Sequence, residues 1–129
     1  MTGMPATMNT YRTVTPYLVV PDADVELAFV KAAFGGSEVF CHRHADGTVA
    51  HAELQVGDSL IMLGQAGGAW KALAAALHLW VPDVDAAYGR ALQAGATSQS
   101  APENKPYGHR MAGVVDRNGI TWWIGSPVA

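Results

Sequence analysis

Apolar and polar positions alternate along this chain in short blocks, and the block pattern changes period in a regular order. From Val14 to Val20 the alternation places Pro16, Leu18 and Val20 on one side and Thr15, Tyr17 and Val19 on the other, which predicts a strand. From about Asp24 to Ala33 the period lengthens. Val25, Ala28, Phe29 and Ala32 fall at helical spacing, and Gly35-Gly36 supplies the stop. Strands are then predicted at Glu38–His44, His51–Val56 and Ser59–Leu63, separated by the turn signals Ala45-Asp46-Gly47 and Gly57-Asp58. Ala52, Leu54, Val56, Ile61 and Leu63 belong to the helix-covered face by parity. His51, Glu53, Gln55, Leu60 and Met62 take the other face.

The order then repeats. Leu18-Val19-Val20-Pro21-Asp22-Ala23-Asp24 returns sixty-one residues later as Leu79-Trp80-Val81-Pro82-Asp83-Val84-Asp85. In each copy a strand meets a proline, which removes a ladder donor, and aspartates stand ready to accept the free N–H groups of a helix's first turn. A constant offset of this kind signals internal duplication. The second half reads as a strand at His78–Val81 and a helix whose stripe is Val84, Ala87, Tyr88, Ala91 and Leu92, closed by Gly95. A short strand near Thr97–Ser100, a two-proline loop over Ala101–Pro106, an extended Tyr107–Val115, a turn at Asp116–Gly119 and a last strand at Ile120–Gly125 complete it. Gly64–Ala76 reads as a connector with a short helix around Trp70–Ala75. The predicted organisation is a flexible tail over 1–12, a first module over 13–63, the connector over 64–76 and a second module over 77–126. The class is α+β: two βαβββ modules, each with its helix on the outside of its sheet.

Modules of about sixty residues are marginal alone, so each half is expected to bury a face against the other or against a second chain. A net charge of -3 gives no basis for nucleic acid or an anionic membrane as partner. No apolar run is long enough to span a bilayer, and the first residues lack a signal-like apolar core. The single cysteine, Cys41, cannot close an internal disulfide and is expected as a half-buried thiol on a strand, in keeping with a cytoplasmic location.

The face turned away from the helices carries the candidate chemistry. Tyr17, His51, Glu53, Met62, Thr121 and Trp123 share it by parity: apolar walls with a few placed polar groups, suited either to a small-molecule pocket or to an ordinary core between two sheets. His51 and Glu53, two apart on one strand, form a general-base pair, half of a displaced metal site with His78, or a buried pair that satisfies itself. Neighbours on a strand point oppositely, so one of Trp122 and Trp123 packs beneath the helices. The other, Trp123, enters the cavity, as a stacking surface or as a plug. His109-Arg110 follows a Pro/Gly loop at the expected cavity mouth, where Arg110 either orients an anionic or carbonyl group or faces solvent. His42 and His44 alternate near a hairpin and are expected to be exposed.

These features together resemble the vicinal oxygen chelate superfamily. The paired modules open on Pro16-Tyr17-Leu18-Val19-Val20. His51-Ala52-Glu53-Leu54, Leu60-Ile61-Met62-Leu63, Tyr107-Gly108-His109-Arg110 and Gly119-Ile120-Thr121-Trp122-Trp123-Ile124 are similar to the PhnB-like, glyoxalase/bleomycin-resistance branch. The resemblance implies helices outside curved sheets that form a cup, with two modules enclosing a ligand cavity, commonly in a homodimer. It also implies a divalent metal held by one His or Glu on each of four strands. Carried over by position, those ligands fall on Thr15, Met62, the neighbourhood of Ala76, and Trp123, none of which suits a divalent ion. A shift of two residues would bring His78 to the third position, which still leaves one imidazole. The resemblance therefore implies a metal-independent binding protein with no cofactor. It would sequester an apolar or aromatic small molecule, such as an antibiotic, with Tyr17, His51, Glu53, Met62, His78, Tyr107, Arg110 and Trp123 as ligand contacts. The alternative is a glyoxalase-like lyase or isomerase that uses His51 and Glu53, or a displaced metal, for catalysis.

Overall fold

The computed structural model describes residues 11–128. Strands β1 (Tyr17–Val20), β2 (Ser37–Arg43), β3 (Val49–Val56) and β4 (Ser59–Gln65) accompany helix α1 (Ala23–Phe34). Strands β5 (Ala76–Trp80), β6 (Thr97–Asn104), β7 (His109–Val115) and β8 (Thr121–Pro127) accompany helix α2 (Val84–Gln93). The two four-stranded mixed sheets have the orders β1-β4-β3-β2 and β5-β8-β7-β6. The chain divides into two compact units, the first running to Leu73 and the second from Ala74, with Ala32–Phe34 counted in the second. Among the described residues no helix is long and apolar enough to cross a membrane.

The sixty-one-residue offset holds in the structure. Tyr17 pairs with Met62 across parallel β1 and β4, and His78 pairs with Trp123 across parallel β5 and β8. The helix starts are near copies. Asp22 (φ -138, ψ 99) accepts from the Val25 N–H, and Asp83 (φ -137, ψ 100) accepts from the Ala86 N–H. Each such cap is worth about 1 kcal/mol.

In unit 1 the buried face carries Leu18, Val20, Ala52, Leu54, Ile61 and Leu63. In unit 2 Trp122, Ile124, Ala112 and Val114 are buried with Val84, Ala87 and Ala91 of α2. Within unit 2 the Phe34 ring meets Trp122, with centroids 4.9 Å apart. Cys41 is almost fully buried on β2, more so than the half-buried thiol expected, whereas His42 and His44 are exposed as anticipated.

Four local expectations need correction. The buried side of α1 is not Val25, Ala28, Phe29 and Ala32. Ala28 and Ala32 are exposed, and burial falls on Ala23, Leu27, Val30 and Ala33, with Phe29 and the Glu26 side chain alongside. Leu27 and Val30 bury more area than alanines do, and that difference sets the rotation of the helix. The connector holds no helix at Trp70–Ala75. β4 runs on to Gln65, Gly67 and Trp70 exchange both backbone hydrogen bonds at 2.9 Å, and Leu73 N–H donates to Val19 O along the free side of β1. The two-proline loop begins later than expected, because β6 continues through Pro102 to Asn104. β6 is an edge strand, and its register slips between Ser100 and Glu103, so the proline's missing donor breaks no ladder bond. Finally, the tail assigned to residues 1–12 lies outside the described residues except for Tyr11 and Arg12, and both of these are held. Tyr11 reaches Glu53, and Arg12 donates to Asp58 O.

Candidate functional site

The open face of unit 1 is built from cross-strand rows. Tyr17 of β1 lies opposite Met62 of β4, Met62 opposite Glu53 of β3, and Glu53 opposite Phe40 of β2. In the next row Val19 lies opposite Gly64, and His51 lies opposite His42. His51 and Glu53 share the face because they are two apart on β3.

Hydrogen bonds tie these polar groups into one chain. The Tyr11 hydroxyl donates to both Glu53 oxygens, at 3.1 and 3.0 Å. His51 Nε2 is 2.8 Å from Glu53 Oε2, and His51 Nδ1 is 3.0 Å from the Tyr17 hydroxyl. Glu53 is 1% exposed, so these partners are what make a buried carboxyl tolerable. Burial, and then the negative charge of Glu53, push the Tyr17 phenol above its usual range, so it stays protonated at neutral pH.

Rings surround the chain. Tyr17 stacks on His51 with centroids 5.5 Å apart and planes at 29°, and Phe40 approaches the same imidazole at 5.9 Å. Trp70 stands 5.6 Å from Tyr17. Tyr17 and Trp70 remain 40% and 44% exposed, which leaves ring surface available to a guest.

The corresponding face of unit 2 has different chemistry in the same frame. Its rows are His78, Trp123, Gly113 and Ser100, then Trp80, Gly125, Met111 and Glu103. Where unit 1 has Glu53, unit 2 has Gly113, and the Trp123 ring lies over that glycine. Met111 sulfur and the His78 imidazole both crowd Gly125. Trp80 sits between His78 and His109, at centroid distances of 4.4 and 4.8 Å. Partial burial, then the neighbouring His109, hold the His78 imidazole below its usual value.

The structure thus gathers Tyr17, His51, Glu53 and Met62 on one face of unit 1 and places His78 and Trp123 on one row of unit 2. Trp122 is the buried member of the tryptophan pair. Its indole N–H donates to Asp116 Oδ2 at 2.9 Å, and Trp123 stands half-buried on the opposite face. Tyr107 is 65% exposed on the turn before β7, its ring edge-on to His109 at 5.4 Å. Arg110 is committed elsewhere: it donates twice to Asp85, at 3.0 and 2.9 Å, and to Asn104 at 3.0 Å. That cluster borders a hollow of about 290 Å³ lined also by Pro82, Ser126 and Val128.

Sequence reading missed Tyr11, Phe40 and Trp70. A glycine inside the β4 pattern, Gly64, was the available signal for Trp70, because a strand glycine marks close approach by another group. Among the described residues no three His, Cys, Asp or Glu side chains converge as metal ligands do. Thr15, Met62, Ala76 and Trp123 carry neither imidazole nor carboxylate, and at the shifted register His78, opposite Trp123, is the one imidazole among the positions the resemblance assigns to the metal.

Comparison with known proteins agrees with the fold. The sequence model of the Glyoxalase/Bleomycin resistance protein/Dioxygenase superfamily matches residues 9–124. An uncharacterised protein of Mycobacterium tuberculosis, Rv0887c, is 34% identical over 132 residues, covering 94% of this chain and 78% of the relative. The crystal structure of TioX from Micromonospora sp. ML1 superposes with a TM-score of 0.77 at 25% identity, over 91% of this chain and 99% of that one. The fosfomycin resistance protein FosX from Mesorhizobium loti shares the fold alone. Its TM-score is 0.67 at 13% identity, over 91% and 92% of the two chains.

Proposed function

Because this chain belongs to the glyoxalase/bleomycin resistance protein/dioxygenase superfamily, we propose that it is a metal-independent binding protein for a planar, apolar or aromatic small molecule, of the kind an antibiotic presents. One observation carries this reading. On the open face of unit 1 the polar groups bond to one another, from Tyr11 through Glu53 and His51 to Tyr17, while the Tyr17 and Trp70 rings keep exposed surface. A face whose polar groups are already satisfied gains most from a ligand that stacks. A homodimer is the assembly this reading expects, since Leu73 and Trp80 are 66% and 56% exposed.

A second reading rests on the same chain of bonds. A buried carboxyl orients an imidazole, and the imidazole contacts a half-exposed phenol, an order that can pass a proton. In that reading His51 and Glu53 serve a lyase or isomerase, with Tyr17 touching the substrate.

A thermal-shift panel of planar aromatics and divalent cations separates them. An aromatic ligand at about 100 times its dissociation constant adds about 2.7 kcal/mol, a shift of several degrees. Stabilisation by a divalent cation and by no aromatic compound would contradict the binding reading, and turnover abolished by His51→Gln would favour the second.

A further inference from the structure

We infer, resting on the binding reading above, that the open face of unit 1 selects planar aromatic ligands carrying a hydrogen-bond donor, a phenolic O–H or aryl N–H, over the same rings without one. The order of protons along the chain dictates this. Both Glu53 oxygens accept from the Tyr11 hydroxyl. A carboxylate only accepts, so with Glu53 ionised the 2.8 Å contact with His51 Nε2 takes its hydrogen from the imidazole. A neutral imidazole protonated on Nε2 presents a bare lone pair on Nδ1. The Tyr17 hydroxyl, 3.0 Å away, is the group that fills it.

A phenol has one proton. Once that proton points inward at His51, what Tyr17 turns outward is lone pairs alone. A ligand that brings an N–H or O–H to the Tyr17 oxygen completes the series. One that brings only an ether or carbonyl oxygen sets lone pair against lone pair. Burial and the Glu53 charge raise the phenol's pKa and so keep the proton on the Tyr17 oxygen. The neighbouring rings bound where the ligand lies: Trp70 is 5.6 Å from Tyr17, and Tyr17 is itself stacked on His51, so a flat guest on the exposed surface of Trp70 lies beside Tyr17.

Indole and benzofuran test this, being nearly the same bicyclic shape with and without a donor. Each is titrated into the 129-residue chain at pH 8 and followed by amide chemical shifts. The wild-type chain is expected to bind indole about three- to tenfold more tightly, the worth of one neutral hydrogen bond. Tyr17→Phe is expected to erase that preference while both probes still bind. Equal affinities in the wild type, or a preference that survives Tyr17→Phe, would overturn the selectivity and leave the binding reading standing. Failure of both probes to bind would overturn the two together. Imidazole nitrogen shifts of the wild type give a check that needs no variant. His51 protonated on Nε2 supports the proton order, and the opposite tautomer overturns it.

Discussion

Trp70 lies across Gly64: a methyl group built on Gly64 would stand 3.0 Å from two carbons of the indole ring and 2.7 Å from the Ala50 carbonyl oxygen. The glycine is thus the floor on which an aromatic wall of the candidate site rests. Gly64→Ala is expected to displace the ring and to cost about 1–3 kcal/mol, the usual price of overpacking against backbone. Urea unfolding followed by tryptophan emission reads both effects. An unshifted midpoint with unchanged emission would mean that Trp70 does not lie there.

Trp122 and Asp116 form the polar anchor of unit 2. The indole N–H donates to Asp116 Oδ2 at 2.9 Å, while Oδ1 accepts the Asn118 and Ile120 N–H groups at 3.0 Å each. Both residues are buried, at 1% and 6% exposure. Trp122→Phe keeps a ring against Phe34 but removes a bond to a carboxylate, and it should destabilise the chain by about 2–4 kcal/mol. Denaturant unfolding checks this, and a loss well under 1 kcal/mol would contradict it.

Asp24 and Asp85 are equivalent by the repeat, and each is clamped by an arginine, Arg43 in one unit and Arg110 in the other. The Arg110 hydrogen bonds hold the Asp85 carboxyl below its ordinary value. A depressed folded-state pKa stabilises the fold above the unfolded value of about 4, and that stabilisation fades as pH falls through the folded value. Arg110→Gln should therefore return the Asp85 titration to the ordinary carboxylate range, as read by side-chain carboxyl shifts. The part of its destabilisation that comes from Asp85 should vanish at acidic pH, below both values, leaving only the loss of the Asn104 bond. An Asp85 titration indifferent to Arg110 would refute the clamp.

Much of the fold is legible in the chain because it depends on local chemistry that occurs twice: Pro21 and Pro82 end strands, and Asp22 and Asp83 start helices with nearly the same dihedral angles. The errors fall where tertiary packing overrides local pattern. Counting apolar positions ranks Ala28 and Ala32 with Leu27 and Val30, but burial follows side-chain area, and the helix turns accordingly. Pro102 reads as a loop because only the strand order reveals that β6 is an edge. Within the candidate site, alternation alone places His51, Glu53, Tyr17 and Met62 on one face. Tyr11 and Trp70 are different. Each arrives from outside the regular strands, and Tyr11 meets Glu53 across forty-two residues of chain, a pairing no periodicity encodes.

Titration of indole into the wild-type chain and its Trp70→Ala variant measures the stacking face most directly. Trp70 is 44% exposed, so its truncation should move the melting temperature by no more than a few degrees. Loss of the ring should weaken indole binding about tenfold, in line with an aromatic pair's stacking and burial. Indole affinity unchanged by Trp70→Ala, in a variant that folds and melts like the wild type, would contradict a ligand site on the aromatic face of unit 1.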